Sequence, residues 1–218
     1  MSGYHRLAVR EMASTGNDLV FLPATRCEKT CRPRFYSRIL TAAEQQLHAR
    51  NDSLDLPFDH YIWLCWSIKE SVYKYEKRLH AGLSFAPLQI EVQQLMPPAG
   101  AEEFYQGTAR LLTAGMPLYF QSHIRDGVLM TMVSEDRSFA DTRWGCRPIG
   151  SSAYADQSAA VRALVLTELQ TLLSRTDLQL QKNADDCPVL LGGGQPLAIP
   201  VSLAHHENWV AYSFRYPL

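Results

Sequence analysis

Four stretches of the sequence hold residue types that could do chemistry. The first is Thr15-Gly16-Asn17-Asp18-Leu19-Val20. An aspartate at the start of an apolar strand can offer oxygen to a hard cation, and the glycine before it would let a phosphate approach the backbone. The plainer reading is an Asx turn feeding a strand. The second is Trp66-Ser67-Ile68-Lys69-Glu70-Ser71-Val72-Tyr73-Lys74. On a helix, Glu70 and Lys74 lie one turn apart and share a face with Lys77. Glu70 could ligate a divalent metal while Lys74 contacts a phosphate or takes a proton. As an ordinary solvent ion pair the two would contribute only about 0.3–0.5 kcal/mol. A chemical role requires another part of the chain, or another subunit, to cover that face.

The third stretch is Val201-Ser202-Leu203-Ala204-His205-His206-Glu207-Asn208-Trp209-Val210-Ala211. In a regular strand Ser202 and His205 point to opposite faces. They are therefore poor as a nucleophilic dyad, which needs direct contact. A histidine at a strand end suits ligand binding better, and a bare His-His pair also suits a turn. The fourth is the basic cluster Arg26, Lys29, Arg32, Arg34 and Arg38, opposed only by Glu28. It could hold a phosphate or the acidic helix of a protein partner, or be a solvated loop. Two other patterns fail. Gly192-Gly193-Gly194 lacks the lysine and hydroxyl residue of a P-loop, and Cys27-x3-Cys31 has no second ligand pair at zinc-finger spacing.

The elements that must position these residues can be read from periodicity. Leu7–Val9 and Asp18–Leu22 read as short extended pieces, and Thr41-Ala42-Ala43-Glu44 is a capping box that starts a helix. Cys65, Ile68, Val72, Tyr75 and Leu79 recur at helical spacing, which predicts a helix over 62–80 stopped by Gly82. Strands follow at 88–92, 109–113, 118–124 and 128–133, the last two joined by an Asp126-Gly127 hairpin turn. A second helix is expected over 157–175, and a terminal strand pair over 198–204 and 209–214. Breaks are expected at Met96–Gly100 and Arg143–Asp156. Helices mixed with antiparallel strands in this way imply an α+β fold.

The 218 residues are enough to bury a core, and 46% hydrophobic and 20% charged residues are ordinary globular usage. A net charge of −1 gives no global attraction to nucleic acid or an anionic membrane, so an anionic ligand must be caught by a local basic patch. Five cysteines without regular spacing suggest free thiols in a reducing compartment. Residues Met1–Asp18 hold no apolar run of signal-peptide length, and no stretch reaches the roughly 20 apolar residues of a membrane span. The expectation is a cytoplasmic protein with no nucleic-acid or membrane partner.

Taken in order, the motifs resemble the 4′-phosphopantetheinyl transferase superfamily. Gly16-Asn17-Asp18 is similar to its Gly-x-Asp strand, and Phe35-x-x-Arg38-Ile39-Leu40-Thr41-x-x-Glu44 to the stretch before its central helix. Trp66-Ser67-x-Lys69-Glu70-Ser71-x-x-Lys74 is similar to its Lys-Glu helix, and Ser202-Leu203-Ala204-His205 with Trp209-Val210-Ala211 to its Ser-His strand pair. The order of motifs is that of the compact holo-acyl-carrier-protein synthases, although this chain is much longer. The second acid of larger members is here Val20, the acid position of the compact type is Phe21, and Ala204 stands where serine is usual.

The resemblance implies a single α+β domain over 1–218, or two pseudo-symmetric lobes with a boundary near 96–115, built of antiparallel strands packed with a long helix. It implies transfer of 4′-phosphopantetheine from coenzyme A to a serine of an apo acyl or peptidyl carrier protein. Mg²⁺, with Mn²⁺ as the alternative, would be held by Asp18 and Glu70. Glu70 and Lys74 would be catalytic, and Glu70 or a water on the metal would take the serine proton. Ser202, His205, Lys69, Arg34 and Arg38 would bind coenzyme A, the basic cluster holding its 3′-phosphate or meeting the carrier. The alternative is a coenzyme A- or carrier-binding module without turnover, which the missing third acid and Ala204 would suit.

Overall fold

The computed structural model describes residues 14–99, 103–113 and 116–216. The extended piece expected at Leu7–Val9 lies outside them. In chain order the main elements are β1 (Gly16–Phe21), α1 (Cys27–Thr30), α2 (Pro33–Tyr36), α3 (Ala42–Arg50) and α4 (Phe58–Leu79). Then come β2 (Ile90–Met96), β3 (Tyr105–Leu111), β4 (Leu118–Arg125), β5 (Val128–Ser134) and β6 (Thr142–Pro148). The chain finishes with α5 (Tyr154–Leu173), β7 (Leu178–Lys182), β8 (Pro188–Gly192), β9 (Gln195–Pro196), β10 (Val201–His206) and β11 (Trp209–Arg215). This is a mixed helix-and-sheet fold with antiparallel sheets, as the sequence predicts.

The first sheet has the order β1-β5-β4-β3-β2. It is one continuous sheet across β2 and β3, with a bulge between Val92 and Gln94. One face is covered by α4, whose Ile62, Cys65, Ile68 and Val72 form the core with Val20, Ile90, Phe120 and Leu129. The other face meets β10 and β11 through Leu19, Met130, Met132, Ala204 and Ala211. β5, between two layers, is buried along its whole length. A third cluster packs α5 through Val165 and Leu169 onto Val201, Phe214 and Leu190.

The hairpin turn Asp126-Gly127 has φ of +53° and +75°, the left-handed pair of a type I′ turn. Thr41 and Glu44 form both bonds of the capping box. The break expected at 143–156 is only half right. Residues 142–148 form β6, which pairs with β11 at the edge of the sheet β10-β11-β6. Most of its side chains are exposed, so it carries little of the apolar alternation by which a strand is recognised. The basic segment near residue 30, for which a solvated loop is one sequence-based alternative, contains the short helices α1 and α2.

Gly16 has a different role from the one its place beside Asp18 suggests. A Cβ there would lie 2.0 Å from the Ser71 carbonyl oxygen and 2.9 Å from the Tyr75 amide nitrogen. The glycine admits the α4 backbone, so the phosphate approach expected at this position is replaced by a helix–strand contact. The small side chains of Ser67 and Ser71 complete it, Ser67 Oγ donating to Thr131 Oγ1 at 3.0 Å and Ser71 Oγ to Ser67 O at 2.8 Å.

The outer edge of β1 is met by side chains of β10. The Asn17 amide donates to Ser202 Oγ at 3.1 Å, and the Phe21 amide to His206 Nδ1 at 3.0 Å. Both contacts span 185 residues, so the two strands run in the same sense. His206 must be neutral at Nδ1 to accept this bond. Burial holds it below the ordinary histidine value, against the pull of Glu207 and Glu70.

Two outcomes follow. Gly16→Ala lowers unfolding stability by about 3 kcal/mol, the upper end for overpacking, because backbone rather than a side-chain tip must yield; urea denaturation measures it. Because the folded-state pKa of His206 is depressed, its contribution is full above about pH 6.5 and is lost as pH falls toward the folded value. The stability gap between the wild type and His206→Ala therefore narrows on acidification below that point, as read from unfolding curves at successive pH values.

Candidate functional site

The close approach at Gly16 sets Asp18 against the last turns of α4. Lys74 Nζ donates to the Asn17 carbonyl at 3.0 Å and lies 3.3 Å from Asp18 Oδ1 and 3.4 Å from Glu70 Oε1. The Asp18 side chain is 7% exposed, those of Lys74 and Glu70 24% and 28%. Burial, and next the Glu70 carboxylate, push Asp18 up to about 7 against the pull of Lys74. Burial draws Lys74 down, but Asp18 and Glu70 together hold it above the ordinary lysine value. Two carboxylates forced together around one cation are the mark of a charged site, because a surface ion pair leaves such values near their norms.

Lys74 forms one wall of a cleft of about 250 Å³. Tyr73, Lys77 and Arg78 continue that wall, and Ser202 and His205 of β10 face it with Tyr154 and Arg162 of α5. The helix face that needed a cover thus receives one from the C-terminal half of the same chain. Ser202 is buried and accepts from the Asn17 amide, which leaves its own proton free to donate. His205 is half-buried, its ring edge-on to Tyr154 at 5.3 Å between centroids. Burial, and next Lys74, lower its pKa, so it is neutral at physiological pH. Ser202 and His205 both line the cleft, and no hydrogen bond joins them.

The donor set fits a hard divalent cation. Asp18 Oδ2 is buried and accepts no hydrogen bond among the described residues, an orphaned oxygen that a cation would satisfy. Glu70 supplies a second, more accessible carboxylate. No group of three or more His, Cys, Asp or Glu side chains gathers around one point among the described residues, so two carboxylates are what the protein offers. That suits an ion which keeps much of its shell as water and phosphate oxygen.

Three of the expected ligand-binding residues stand elsewhere. Lys69 is fully buried, and its ammonium donates to Glu44 Oε2 at 2.8 Å, Ile39 O at 2.6 Å and Pro87 O at 3.0 Å. All three of its donors are used, so the coenzyme A role expected of Lys69 is replaced by a structural one. Arg34 and Arg38 are exposed and line no part of the cleft. Their neighbour Phe35 packs on Trp63, 11 residues before Lys74 on α4, which puts them about 16 Å from the cleft along the helix. Arg78, Arg162 and Lys182 line the cleft without having been singled out by any motif. Arg78 lay one turn beyond Lys74 and could have been found by extending the helix face. Nothing in the sequence distinguishes Arg162 or Lys182, which arrive through the topology.

Residues 14–114 match the family model of the 4′-phosphopantetheinyl transferase superfamily. The matched segment contains Asp18, Glu70 and Lys74, and the resemblance read from the motifs holds over it. The match supports a phosphopantetheinyl transferase role. It ends before β4, so the cleft wall carrying Ser202, His205, Tyr154 and Arg162 lies outside it. No curated protein matches the chain at the significance required. Among the described residues no helix is long and apolar enough to cross a membrane.

The Lys69–Glu44 pair makes its own prediction. Removing one partner of a fully buried pair leaves an uncompensated charge, which costs about 3–5 kcal/mol. Lys69→Met should lose that much in urea unfolding, and the double variant Lys69→Met/Glu44→Gln should recover part of it.

Proposed function

We propose that this protein transfers the 4′-phosphopantetheine group of coenzyme A to a serine of an apo acyl or peptidyl carrier protein. The observation that carries the proposal is that Asp18 and Glu70 meet at Lys74, and that Lys74 lines a cleft whose other wall is Ser202 and His205, more than a hundred residues away in sequence. These are the residues whose spacing resembles the family's motifs. The cleft is lined by residues from Tyr73 to His205, which suits a chain that acts as one functional domain.

Asp18 and Glu70 are the residues that would hold Mg²⁺ or Mn²⁺, which would supply charge neutralisation at the pyrophosphate of coenzyme A. Lys74, held between the two carboxylates, presents its ammonium to the same oxygens and steadies the departing charge. The carrier serine oxygen bonds to the phosphorus that bears pantetheine. The bond from that phosphorus to the bridging oxygen breaks, and adenosine 3′,5′-bisphosphate leaves. Glu70 takes the serine proton, since it is the more accessible of the two carboxylates. Ser202 donates its free proton to the nucleotide, and neutral His205 with Tyr154 flanks it. Arg34 and Arg38, exposed with Arg26, Lys29 and Arg32 on and around α1 and α2, form a basic surface suited to an acidic helix of the carrier.

Intact mass spectrometry of an apo acyl carrier protein incubated with this protein, coenzyme A and Mg²⁺ should show a gain of one phosphopantetheine that chelator abolishes. Glu70→Ala should slow the gain by about 100-fold or more, as loss of a metal contribution of several kcal/mol requires. Coenzyme A binding with no gain on any carrier would point instead to a binding module without turnover.

A further inference from the structure

The cleft carries more positive charge than its catalytic end uses. Of the five cations on its walls, Lys74 is paired with Asp18 and Glu70, and Lys182 with Asp186 at 3.3 Å. Lys77, Arg78 and Arg162 have no carboxylate within ion-pair distance among the described residues.

Both arginines are oriented by backbone instead. Arg78 Nη1 donates to Pro188 O at 2.9 Å and its Nη2 to Val201 O, while Arg162 Nη1 donates to Leu180 O at 3.1 Å. Arg78 Nε is buried without an acceptor among the described residues. Carbonyls fix a guanidinium's direction but leave its charge uncancelled, and a partly buried charge without a counter-ion is costly. Burial holds the Arg78 pKa below the ordinary arginine value, which is the same cost seen from the proton's side. An anion entering the cleft would remove it. Two guanidiniums and an ammonium match a dianionic phosphomonoester, with its three terminal oxygens, better than a phosphodiester-like group. Lys77 sits three residues past Lys74 on α4, about 4.5 Å further along the helix, so this seat is separate from the carboxylate pair.

We infer that Arg162, together with Arg78 and Lys77, seats a terminal phosphomonoester of the donor nucleotide and makes the cleft selective for donors that carry one. The inference rests on the coenzyme A reading, in which that group is the 3′-phosphate. It moves recognition of that phosphate from the N-terminal basic cluster to α4 and α5, the latter outside the segment that matches the family.

Calorimetric titration of the full chain with coenzyme A and with 3′-dephospho-coenzyme A tests it. The wild type should bind coenzyme A at least about tenfold more tightly than the dephospho form, since charge-assisted hydrogen bonds to the phosphate are lost. Arg162→Gln should shrink that ratio several-fold while leaving the dephospho form's affinity unchanged, a pattern that a merely structural role would not give. Lys77→Met, which removes no backbone hydrogen bond, carries the same test should Arg162→Gln fail to fold. Equal wild-type affinity for the two ligands overturns the inference and leaves the coenzyme A reading standing. Equal weakening of both ligands by Arg162→Gln also overturns it, assigning Arg162 to the Leu180 contact alone. Binding of neither ligand overturns both readings.

Discussion

A helix can approach a strand only as closely as the side chains between them allow, and at Gly16 there is none. The α4 backbone fills the space where a Cβ would stand, with the small side chains of Ser67 and Ser71 along the seam. The position of Asp18 follows from this contact. Two residues along β1, its carboxylate comes within 3.3 Å of an ammonium about three-quarters of the way along the helix. A larger residue at position 16 would push helix and strand apart, and with them Asp18 and Lys74, whose contact depends on that close approach.

The middle of α4 is fixed by a different device. Glu44 is buried without exposure, and its two oxygens accept from the Thr41 and Val92 amides and from Lys69. One carboxylate thereby ties together the start of α3, the edge strand β2 and the middle of α4. A fully satisfied network of this kind tolerates little rearrangement, since each partner lost leaves another polar group stranded. Lys69 and Glu70 are neighbours in sequence, yet one is an internal brace and the other a partly exposed partner of Lys74. A helix turns about 100° per residue, which is enough to separate structure from chemistry within a single dipeptide.

Much of this was legible in the sequence. The long helix, the Asp126-Gly127 hairpin, the capping box and the C-terminal strand pair are local patterns, and periodicity or turn chemistry reports them directly. The grouping of Asp18, Glu70 and Lys74 was legible because motif order constrains it. What escaped was whatever depends on a distant partner. Gly16 stood out as special, but only the packed structure reveals that the approaching backbone is a helix. The capping box at Thr41–Glu44 names two backbone donors and is silent about the buried lysine. β6 was hidden because an exposed edge strand holding Gly145 and Pro148 resembles a loop, and its register comes from β11. Arg162 is an ordinary helix arginine until the fold carries it to the cleft.

The side chains that β10 sends to β1 have a consequence for how the molecule behaves in company. β1 ends its sheet, and an end strand with unmet amides is a template on which another chain can add. Ser202 and His206 occupy two of those amides from a strand that runs alongside without forming a ladder. A foreign strand could pair there only after dislodging β10, and with it the wall of the cleft. The contacts that assemble the site thus also keep this edge from recruiting strangers, so in this fold solubility and a closed cleft are lost or kept together.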